Sequence, residues 1–180
     1  MAKVMNMARY TLPLIIFVGL ATVLWFGLGL NPRELPSQLL DKPAPKFSLP
    51  SDDNINIDER IFQGKISLLN VWSTQCINCL YEHKLLLELQ DTANLQLLGL
   101  NYKDDAATVR AWLKDNGNPY QQVMLDQHGL TAIDWGVYGT PETFVVDRHG
   151  IIRYRYAGTL TMEQWTAEIK PLVSRLQDES

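Results

Sequence analysis

Cysteine is scarce in this chain, with two copies among 180 residues, and histidine occurs only three times. The two cysteines stand at positions 76 and 79, so no framework of several disulfides can staple the fold. A four-ligand zinc site would need a second pair of ligands at comparable spacing, and the histidines are scattered along the chain. Covalent haem attachment would need a histidine directly after Cys79, where the sequence has Leu80. The scarcity excludes covalent haem and disfavours structural zinc.

Negative charge is absent from the first 30 residues, where Lys3 and Arg9 are the only charged positions. Residues 10–30 are 21 consecutive uncharged positions, mostly apolar, and a helix of that length crosses a hydrocarbon core of ~30 Å. No small-residue cleavage pattern follows them, so we expect an uncleaved transmembrane anchor rather than a removed signal peptide. The positive-inside rule then predicts that residues 1–9 are cytoplasmic and that the rest of the chain lies outside the cytoplasm.

The sequence also lacks a cluster of basic residues of the kind that binds nucleic acids. Its 20 acidic residues outnumber 16 basic ones, and the net charge is −4. This balance predicts no nucleic-acid partner. Prolines concentrate after the apolar run, so residues 31–45 are predicted to be an extended tether. Residues 46–180 have the length of one domain with its own core.

Strands and helices alternate along this predicted domain. Apolar runs bounded by turn residues predict strands at 47–49, 55–57, 65–72, 95–101, 122–125, 143–147 and 151–156. Helical periodicity predicts helices at 76–90, from Asp104 or Asp105 to Asn116, and from Thr161, where Gln164 completes a capping box. The alternation indicates an α/β sandwich with a mixed central sheet.

The cysteine pair lies where a buried strand gives way to a helix. A helix N-terminus offers unpaired N–H groups and the positive end of a dipole, which favour the thiolate that attacks disulfides. We therefore interpret Cys76 as the exposed nucleophile and Cys79, one turn later, as the shielded resolving thiol. A purely structural disulfide is the alternative, although so short a loop stabilises little through chain entropy.

Glu82 falls on the apolar side of the same helix, about 300° around the helical wheel from Cys79. Burial there would raise the pKa of its carboxyl toward neutrality, so that it accepts the Cys79 proton, while its ionised form would oppose thiolate formation. The alternative is a solvated residue paired with a nearby lysine.

Several segments around the cysteines carry a resemblance to a known family. They are Asn70-Val71-Trp72, Glu82-His83, Gly99–Asp104, Gly117–Tyr120 and Gly136–Phe144. With these segments and the CxxC, the chain from about Lys46 resembles the thioredoxin superfamily. More specifically it resembles the membrane-tethered DsbE/CcmG family, whose GVxGxPETF fingerprint matches the last segment. The resemblance implies a thioredoxin-like three-layer sandwich.

The same resemblance implies a reaction and its partners. Members of the family reduce disulfides in the CxxCH segments of apocytochrome c before haem is attached, as part of cytochrome c maturation. They are re-reduced by a membrane thiol transporter of the DsbD/CcdA type. We therefore expect a single-pass protein of the bacterial inner membrane with a periplasmic domain, and no cofactor or metal beyond the redox-active disulfide.

The resemblance also implies further site residues. Pro141 is expected to be a cis proline facing the dithiol, and Glu142 to stand beside the thiols and modulate their ionisation. Substrate contacts are expected at Thr140, Tyr138 and Gln75.

Two positions depart from the family pattern. Gln75 replaces the usual tryptophan before the first cysteine, and Ile77 replaces a frequent proline, so we expect an altered redox potential or partner set. Two other functions stay open. Paired thiolates can carry Cu(I), and the groove beside Pro141 can hold an apocytochrome by strand addition, with incidental redox activity.

Overall fold

The computed structural model describes residues 2–28 and 39–179, with side chains for 12–25 and 39–179. The N-terminal segment is one helix, α1 (Ala2–Leu28), which coincides with most of the predicted anchor. Positions 29 and 30 of that anchor and 31–38 of the predicted tether lie outside the described residues. Within the described residues, no helix has both the length and the apolar character needed to cross a membrane, so the spanning anchor is not confirmed.

A five-stranded mixed sheet forms the centre of the folded domain. Its strands are β3 (Ile66–Trp72), β4 (Leu95–Tyr102), β5 (Gln122–Asp126), β6 (Glu142–Val146) and β7 (Ile152–Ala157), and a separate hairpin contains β1 (Ser48–Pro50) and β2 (Asn56–Asp58). The sheet order is β5-β4-β3-β6-β7, with β3 parallel to β4 and antiparallel to β6. Every predicted strand is confirmed to within one residue at each end.

Five further α-helical segments surround the sheet in the part of the chain that the structure describes. They are α2 (Ile77–Leu89), α3 (Ala106–Asn116), α4 (Leu130–Asp134), α5 (Met162–Gln164) and α6 (Lys170–Asp178), with a π-helical turn at Trp165–Ile169. Of the two predicted caps for α3, Asp105 is correct, because its carboxylate accepts the N–H groups of Ala107 and Thr108. The capping box at Thr161 and Gln164 is confirmed. The sequence patterns did not predict α4, which has only five residues.

Both faces of the sheet are covered by apolar side chains. The central strand β3 is therefore buried along its whole length. One face carries Trp72 and packs against α2, α3 and the C-terminal helical segments. The opposite face carries Phe144 and packs against Trp135, which follows α4. The predicted three-layer α/β sandwich with a mixed sheet is confirmed.

The folded domain begins earlier than the predicted boundary at residue 46. Asp41 and Ala44, which the sequence assigned to the tether, donate backbone hydrogen bonds to the carbonyls of Ile152 and Gly150. Pro43 also forms an isolated antiparallel bridge with Ile151. A proline-rich segment without a helical pattern can still pair at a sheet edge, because its non-proline residues supply the backbone hydrogen bonds. Residues 41–44 are thus part of the domain.

Gly99 is a position at which the sheet backbone and the aromatic core lie very close together. It lies opposite Asn70 in the β3–β4 ladder, and a Cβ atom there would sit 2.9 Å from Trp72 Nε1 and 3.0 Å from Tyr120 Cδ2. The rings of Trp72 and Tyr120 stack at 5.7 Å between centroids. A side chain at Gly99 would push this aromatic pair away from the sheet.

We predict that Gly99→Ala lowers the free energy of unfolding by about 2 kcal/mol, since overpacking a tight core commonly costs about that much. Gly139→Ala is the matched control, because no atom lies within 4 Å of its Cβ position. Urea unfolding of the full-length chain, followed by circular dichroism, measures both variants. Equal stability of the two would contradict the packing described for Gly99.

Candidate active site

The two cysteines are joined as a disulfide at the start of α2. The S–S distance is 2.16 Å, and the Cα atoms lie 5.2 Å apart. Cys76 caps the helix, and its Sγ accepts the backbone N–H of Cys79 at 3.1 Å. Cys76 is half-buried, whereas Cys79 is only 3% exposed. One sulfur of the pair is therefore accessible and the other is shielded, while the roles of nucleophile and resolving thiol stay predictions.

Asp104 holds the loop that precedes the disulfide. Its Oδ2 accepts the backbone N–H of Thr74 at 2.7 Å, and its Oδ1 accepts the Thr74 hydroxyl at 3.0 Å. Asn101 Nδ2 also donates to Oδ2, at 2.8 Å. Charge-assisted bonds of this kind are stronger than neutral ones, so a buried carboxylate from the end of β4 fixes the chain two residues before Cys76. Gln75, which lies between Thr74 and Cys76, is exposed.

The peptide bond between Thr140 and Pro141 is cis, as the resemblance implies. Pro141 directly precedes β6, whose first residue, Glu142, pairs with Val71 near the carboxyl end of β3. Because α2 begins just after that same end of β3, the cis proline and the dithiol share one edge of the sheet. The Pro141 carbonyl accepts the N–H of Gly158 at 2.9 Å, which ties this loop to the end of β7.

Glu82 is buried against the sheet, with 1% of its surface exposed. Its Oε1 accepts Asn70 Nδ2 at 2.7 Å, and its Oε2 accepts the backbone N–H of Leu160 at 2.7 Å. Burial raises the pKa of this carboxyl from 4.5 to about 7, and the hydrogen bonds from Leu160 and Asn70 oppose that rise. The carboxyl therefore lies buried one turn after Cys79, and its role as the acceptor of the Cys79 proton stays a prediction.

Asn70 is the centre of the polar network around Glu82. Its Nδ2 donates to Glu82 and, at 3.4 Å, to Thr143 Oγ1, while its Oδ1 accepts the Tyr120 hydroxyl at 2.8 Å. All members of this network are buried. Burial, and secondly the nearby Glu82 charge, raise the pKa of the Tyr120 phenol. Residues from a neighbouring strand, a helix and a loop thus converge on one amide.

Glu142 lies on the other face of the sheet from Glu82. Successive side chains of a strand alternate, and its neighbour Thr143 points toward Asn70. Glu142 Oε2 accepts Arg155 Nε at 2.8 Å, and Oε1 accepts the backbone N–H of Tyr138 at 3.1 Å. Burial raises the pKa of Glu142, and the bonds from Tyr138 and Arg155 oppose that rise. Among the described residues, its polar partners belong to the cis-proline loop and β7 rather than to the dithiol.

Arg155 fastens the loop that ends in the cis proline. Besides binding Glu142, it donates to the Gly136 carbonyl at 2.8 Å, and its guanidinium lies 4.8 Å from the centre of the Tyr138 ring. Tyr138 is 62% exposed, and Thr140 is half-buried. Of the predicted substrate residues, Tyr138 and Thr140 therefore stand on one ordered loop, and Gln75 stands on the loop before Cys76.

The sequence interpretation missed three of these contacts. Arg155 pairs with Phe144 in the β6–β7 ladder, so alternation placed it on the same face as Glu142 and offered a signal. The sequence offers Asp104 as a helix cap and as part of a family segment, and Tyr120 as part of a family segment. Their roles depend on contacts between distant parts of the chain, which periodicity does not report.

Metal ligands do not gather around the site. Within residues 39–179 and the described part of α1, no three side chains among His, Cys, Asp and Glu cluster in a way that holds a metal ion. His83 is buried, and its Nε2 contacts the Gly117 carbonyl at 3.0 Å, while its ring packs edge-on against Trp112. Burial lowers the pKa of His83. This histidine is a satisfied core residue.

Comparisons with known proteins agree with this geometry. The Redoxin family profile matches residues 39–169. The thiol:disulfide interchange protein DsbE of Allochromatium vinosum is 43% identical over 171 residues, which cover 94% of both chains. DsbE of Escherichia coli K12 is 44% identical over 177 residues, which cover 94% of this chain and 95% of that protein.

Solved structures share the fold. A thiol-disulfide oxidoreductase from Bacteroides fragilis is 25% identical with a TM-score of 0.60, and the match covers 73% of this chain and 99% of that one. StoA from Bacillus subtilis is 20% identical with a TM-score of 0.57, and the match covers 68% and 97% of the two chains. At such identities the likeness establishes the fold alone.

We predict that the burial of Glu82 makes the folded chain less stable as pH rises from about 4.5 to about 7. In that window the unfolded chain loses the Glu82 proton while the folded chain keeps it, so the free energy of unfolding falls. A shift from 4.5 to about 7 corresponds to a loss of about 3 kcal/mol. Glu82→Gln carries no titrating proton and should remove this part of the decline.

Urea unfolding of the oxidised chain across this pH range measures the effect. Glu88→Gln is the control, because Glu88 is exposed on the same helix and should leave the decline unchanged. The same pH dependence in Glu82→Gln as in the unsubstituted chain would show that the carboxyl does not titrate near neutrality.

Proposed function

The chain belongs to the redoxin family and, within it, to the DsbE thiol:disulfide interchange proteins, and from this premise we propose a specific reaction for its thiol:disulfide oxidoreductase activity. The proposed reaction is the reduction of disulfides in the CxxCH segments of apocytochrome c, before haem is attached during cytochrome c maturation. The observation that carries the proposal is the asymmetric sulfur pair, with accessible Cys76 at the tip of α2 and Cys79 buried behind it.

In the first step, the Cys76 thiolate attacks one sulfur of the substrate disulfide. A mixed disulfide forms between Cys76 and the substrate, and the other substrate sulfur leaves as a thiolate that takes a proton. The N-terminus of α2 favours the attacking thiolate, since unpaired N–H groups meet the sulfur there, as the bond from Cys79 N–H to Cys76 Sγ illustrates.

In the second step, Cys79 resolves the mixed disulfide. Its proton passes to the ionised carboxylate of Glu82, and the resulting Cys79 thiolate attacks Cys76 Sγ, which releases the second substrate thiol. Two electrons have then moved to the substrate, and the chain holds the disulfide that the structure describes. A carboxyl whose pKa is about 7 suits this transfer, because an effective base titrates near the working pH.

The buried carboxyl also supports the direction of the reaction. In the resting reduced pair, before substrate reacts, an ionised Glu82 keeps Cys79 in the thiol form, so the reduced form gains no stabilisation from a Cys79 thiolate. A pair whose reduced form is disfavoured gives its electrons up readily. We therefore assign the chain the role of reductant.

The substrate surface consists of the cis-proline loop and the loop before Cys76. Exposed Tyr138 offers an aromatic face next to the Arg155 guanidinium, while Thr140 precedes the cis proline and Gln75 precedes Cys76. An extended CxxCH segment can lie along the backbone beside Pro141, as strand-addition partners do. Gln75 and Ile77, both exposed, replace an indole and a proline of the family and would adjust partner choice here.

We assign the domain to the periplasmic side of the bacterial inner membrane. Support comes from the apolar composition of 10–30 and from the positive charges that precede it, which favour a single pass with residues 1–9 in the cytoplasm. A membrane thiol transporter of the DsbD/CcdA type would restore the dithiol. One of its thiolates would attack the Cys76–Cys79 disulfide and the second would release the reduced pair.

We predict that Cys79→Ser accumulates a covalent complex with oxidised apocytochrome c, because the mixed disulfide at Cys76 then lacks its resolving thiol. Cys76→Ser should trap no complex, since the remaining thiol is buried. Non-reducing electrophoresis after incubation of each reduced full-length variant with the substrate measures the difference.

An apocytochrome whose CxxCH cysteines are serines is the matched control and should give no complex with either variant. Equal trapping by the two cysteine variants would contradict the assigned roles. Trapping of unrelated disulfide proteins at the same rate would contradict the assigned substrate.

A further inference from the structure

The Asn70 amide is held from three sides, although only one of its contacts reaches Glu82. The Tyr120 hydroxyl donates to Asn70 Oδ1 at 2.8 Å, and in the described part of the chain this oxygen is the only acceptor recorded for that hydroxyl. Asn70 Nδ2 then has one hydrogen for Glu82, at 2.7 Å, and one for Thr143, at 3.4 Å. A buried donor without an acceptor is costly, so each contact constrains the orientation of the amide.

The orientation of this amide decides which form of Glu82 it stabilises. With Nδ2 toward the carboxyl, the amide donates a hydrogen bond, which favours the ionised carboxylate. With the amide rotated by half a turn, Oδ1 would face Glu82 and would favour the protonated acid, which can donate to it. The rotated amide would present Nδ2 to the Tyr120 hydroxyl, and the proton of that hydroxyl would lose its acceptor.

We propose that Tyr120 is a positioning residue of the redox reaction: by donating to Asn70, its hydroxyl locks the amide in the orientation that stabilises the ionised form of Glu82. The inference rests on the proposed role of Glu82 as the acceptor of the Cys79 proton. Tyr120 touches neither the sulfurs nor the substrate in this role, and it acts through Asn70. The proton on Glu82 is therefore controlled by a residue 38 positions away in the sequence.

Apart from the Asn70 amide, the groups that the structure describes around Glu82 do not include a charged partner that would set its protonation. On α2 itself, Cys79 precedes it by one turn, and His83 is directed to the Gly117 carbonyl. The C-terminal segment contributes the Leu160 N–H, and β6 contributes the uncharged Thr143. Tyr120 is the titratable side chain that faces it from the loop before β5, and in the described part of the chain no lysine or arginine pairs with it. Salt bridges recorded for the domain lie elsewhere.

Tyr120→Phe tests the proposal with little change in packing, because the ring that stacks on Trp72 is retained. The full-length oxidised chain is labelled with [¹³C]glutamate, and the Glu82 carboxyl resonance is identified by its loss in Glu82→Gln. We expect the midpoint of its pH titration to rise by about one pH unit in Tyr120→Phe, the size of effect that one buried hydrogen bond produces. An unchanged midpoint would overturn the proposal.

Two further variants control the measurement. Tyr154→Phe removes a hydroxyl that is hydrogen-bonded to Glu168, away from Asn70, and should leave the Glu82 midpoint in place. Thr143→Val removes the other acceptor of Asn70 Nδ2 while keeping the shape of the side chain, and should raise the midpoint by less than Tyr120→Phe does, in keeping with its longer contact. Equal shifts in Tyr154→Phe and Tyr120→Phe would overturn the proposal.

A kinetic readout separates this inference from the proposed proton transfer. When the reduced full-length chain reacts with 5,5′-dithiobis(2-nitrobenzoate), the resolution of the mixed disulfide at Cys76 releases a second coloured thiolate. The rate of this second release should rise with pH through the Glu82 midpoint. Tyr120→Phe should shift the rate profile to higher pH, by as many pH units as it shifts the midpoint of the carboxyl resonance. A shifted resonance with an unshifted rate profile would reject Glu82 as the proton acceptor while leaving the hold of Tyr120 on the carboxyl intact.

Discussion

A carboxylate buried in the core beside the sulfur pair is the constraint on which the arrangement of the site depends. Taking such a group out of water is costly unless both of its oxygens find donors. The donors of Glu82 come from Asn70 in the central strand and from the backbone of Leu160 before the last helix. One side chain, Glu82, therefore couples the positions of the central strand, α2 and the C-terminal segment. The incomplete compensation leaves a pKa near neutrality, which is useful for a proton acceptor.

The sheet separates two buried carboxyls that the sequence suggested would act together at the thiols. Glu82 faces the helical layer that contains the cysteines, whereas Glu142, on the opposite face, binds Arg155 and the backbone of Tyr138. In the proposed reaction the first accepts a proton, whereas the second binds the loop that presents the cis proline. Alternation along β6 produces this division, because Thr143 faces the helical layer and Glu142, the residue before it, faces the opposite side of the sheet.

Local patterns predicted most of the fold, because its strands are long apolar runs and its helices carry clear caps. They also placed Glu82 on the buried side of α2, because it falls on the same side of the helical wheel as Leu86 and Leu89, which are buried. They missed α4, whose five residues are too few to show a period. They missed the links of Tyr120 to Asn70 and of Asp104 to Thr74 because residues 50 and 30 positions apart meet only once the sheet has formed. The site is thus predictable in its sulfur pair and less so in the network that tunes it.

The central claim is that the two sulfurs differ in access and in the ease with which they ionise, Cys76 being favoured by the helix terminus and Cys79 opposed by burial beside Glu82. The most direct measurement is the rate at which iodoacetamide alkylates each cysteine of the reduced full-length chain as pH is varied, read by mass spectrometry of the two labelled positions. The account predicts that Cys76 is alkylated first at every pH, and that Cys79 reacts only at distinctly higher pH. Equal rates at the two sulfurs, or faster alkylation of Cys79, would contradict it.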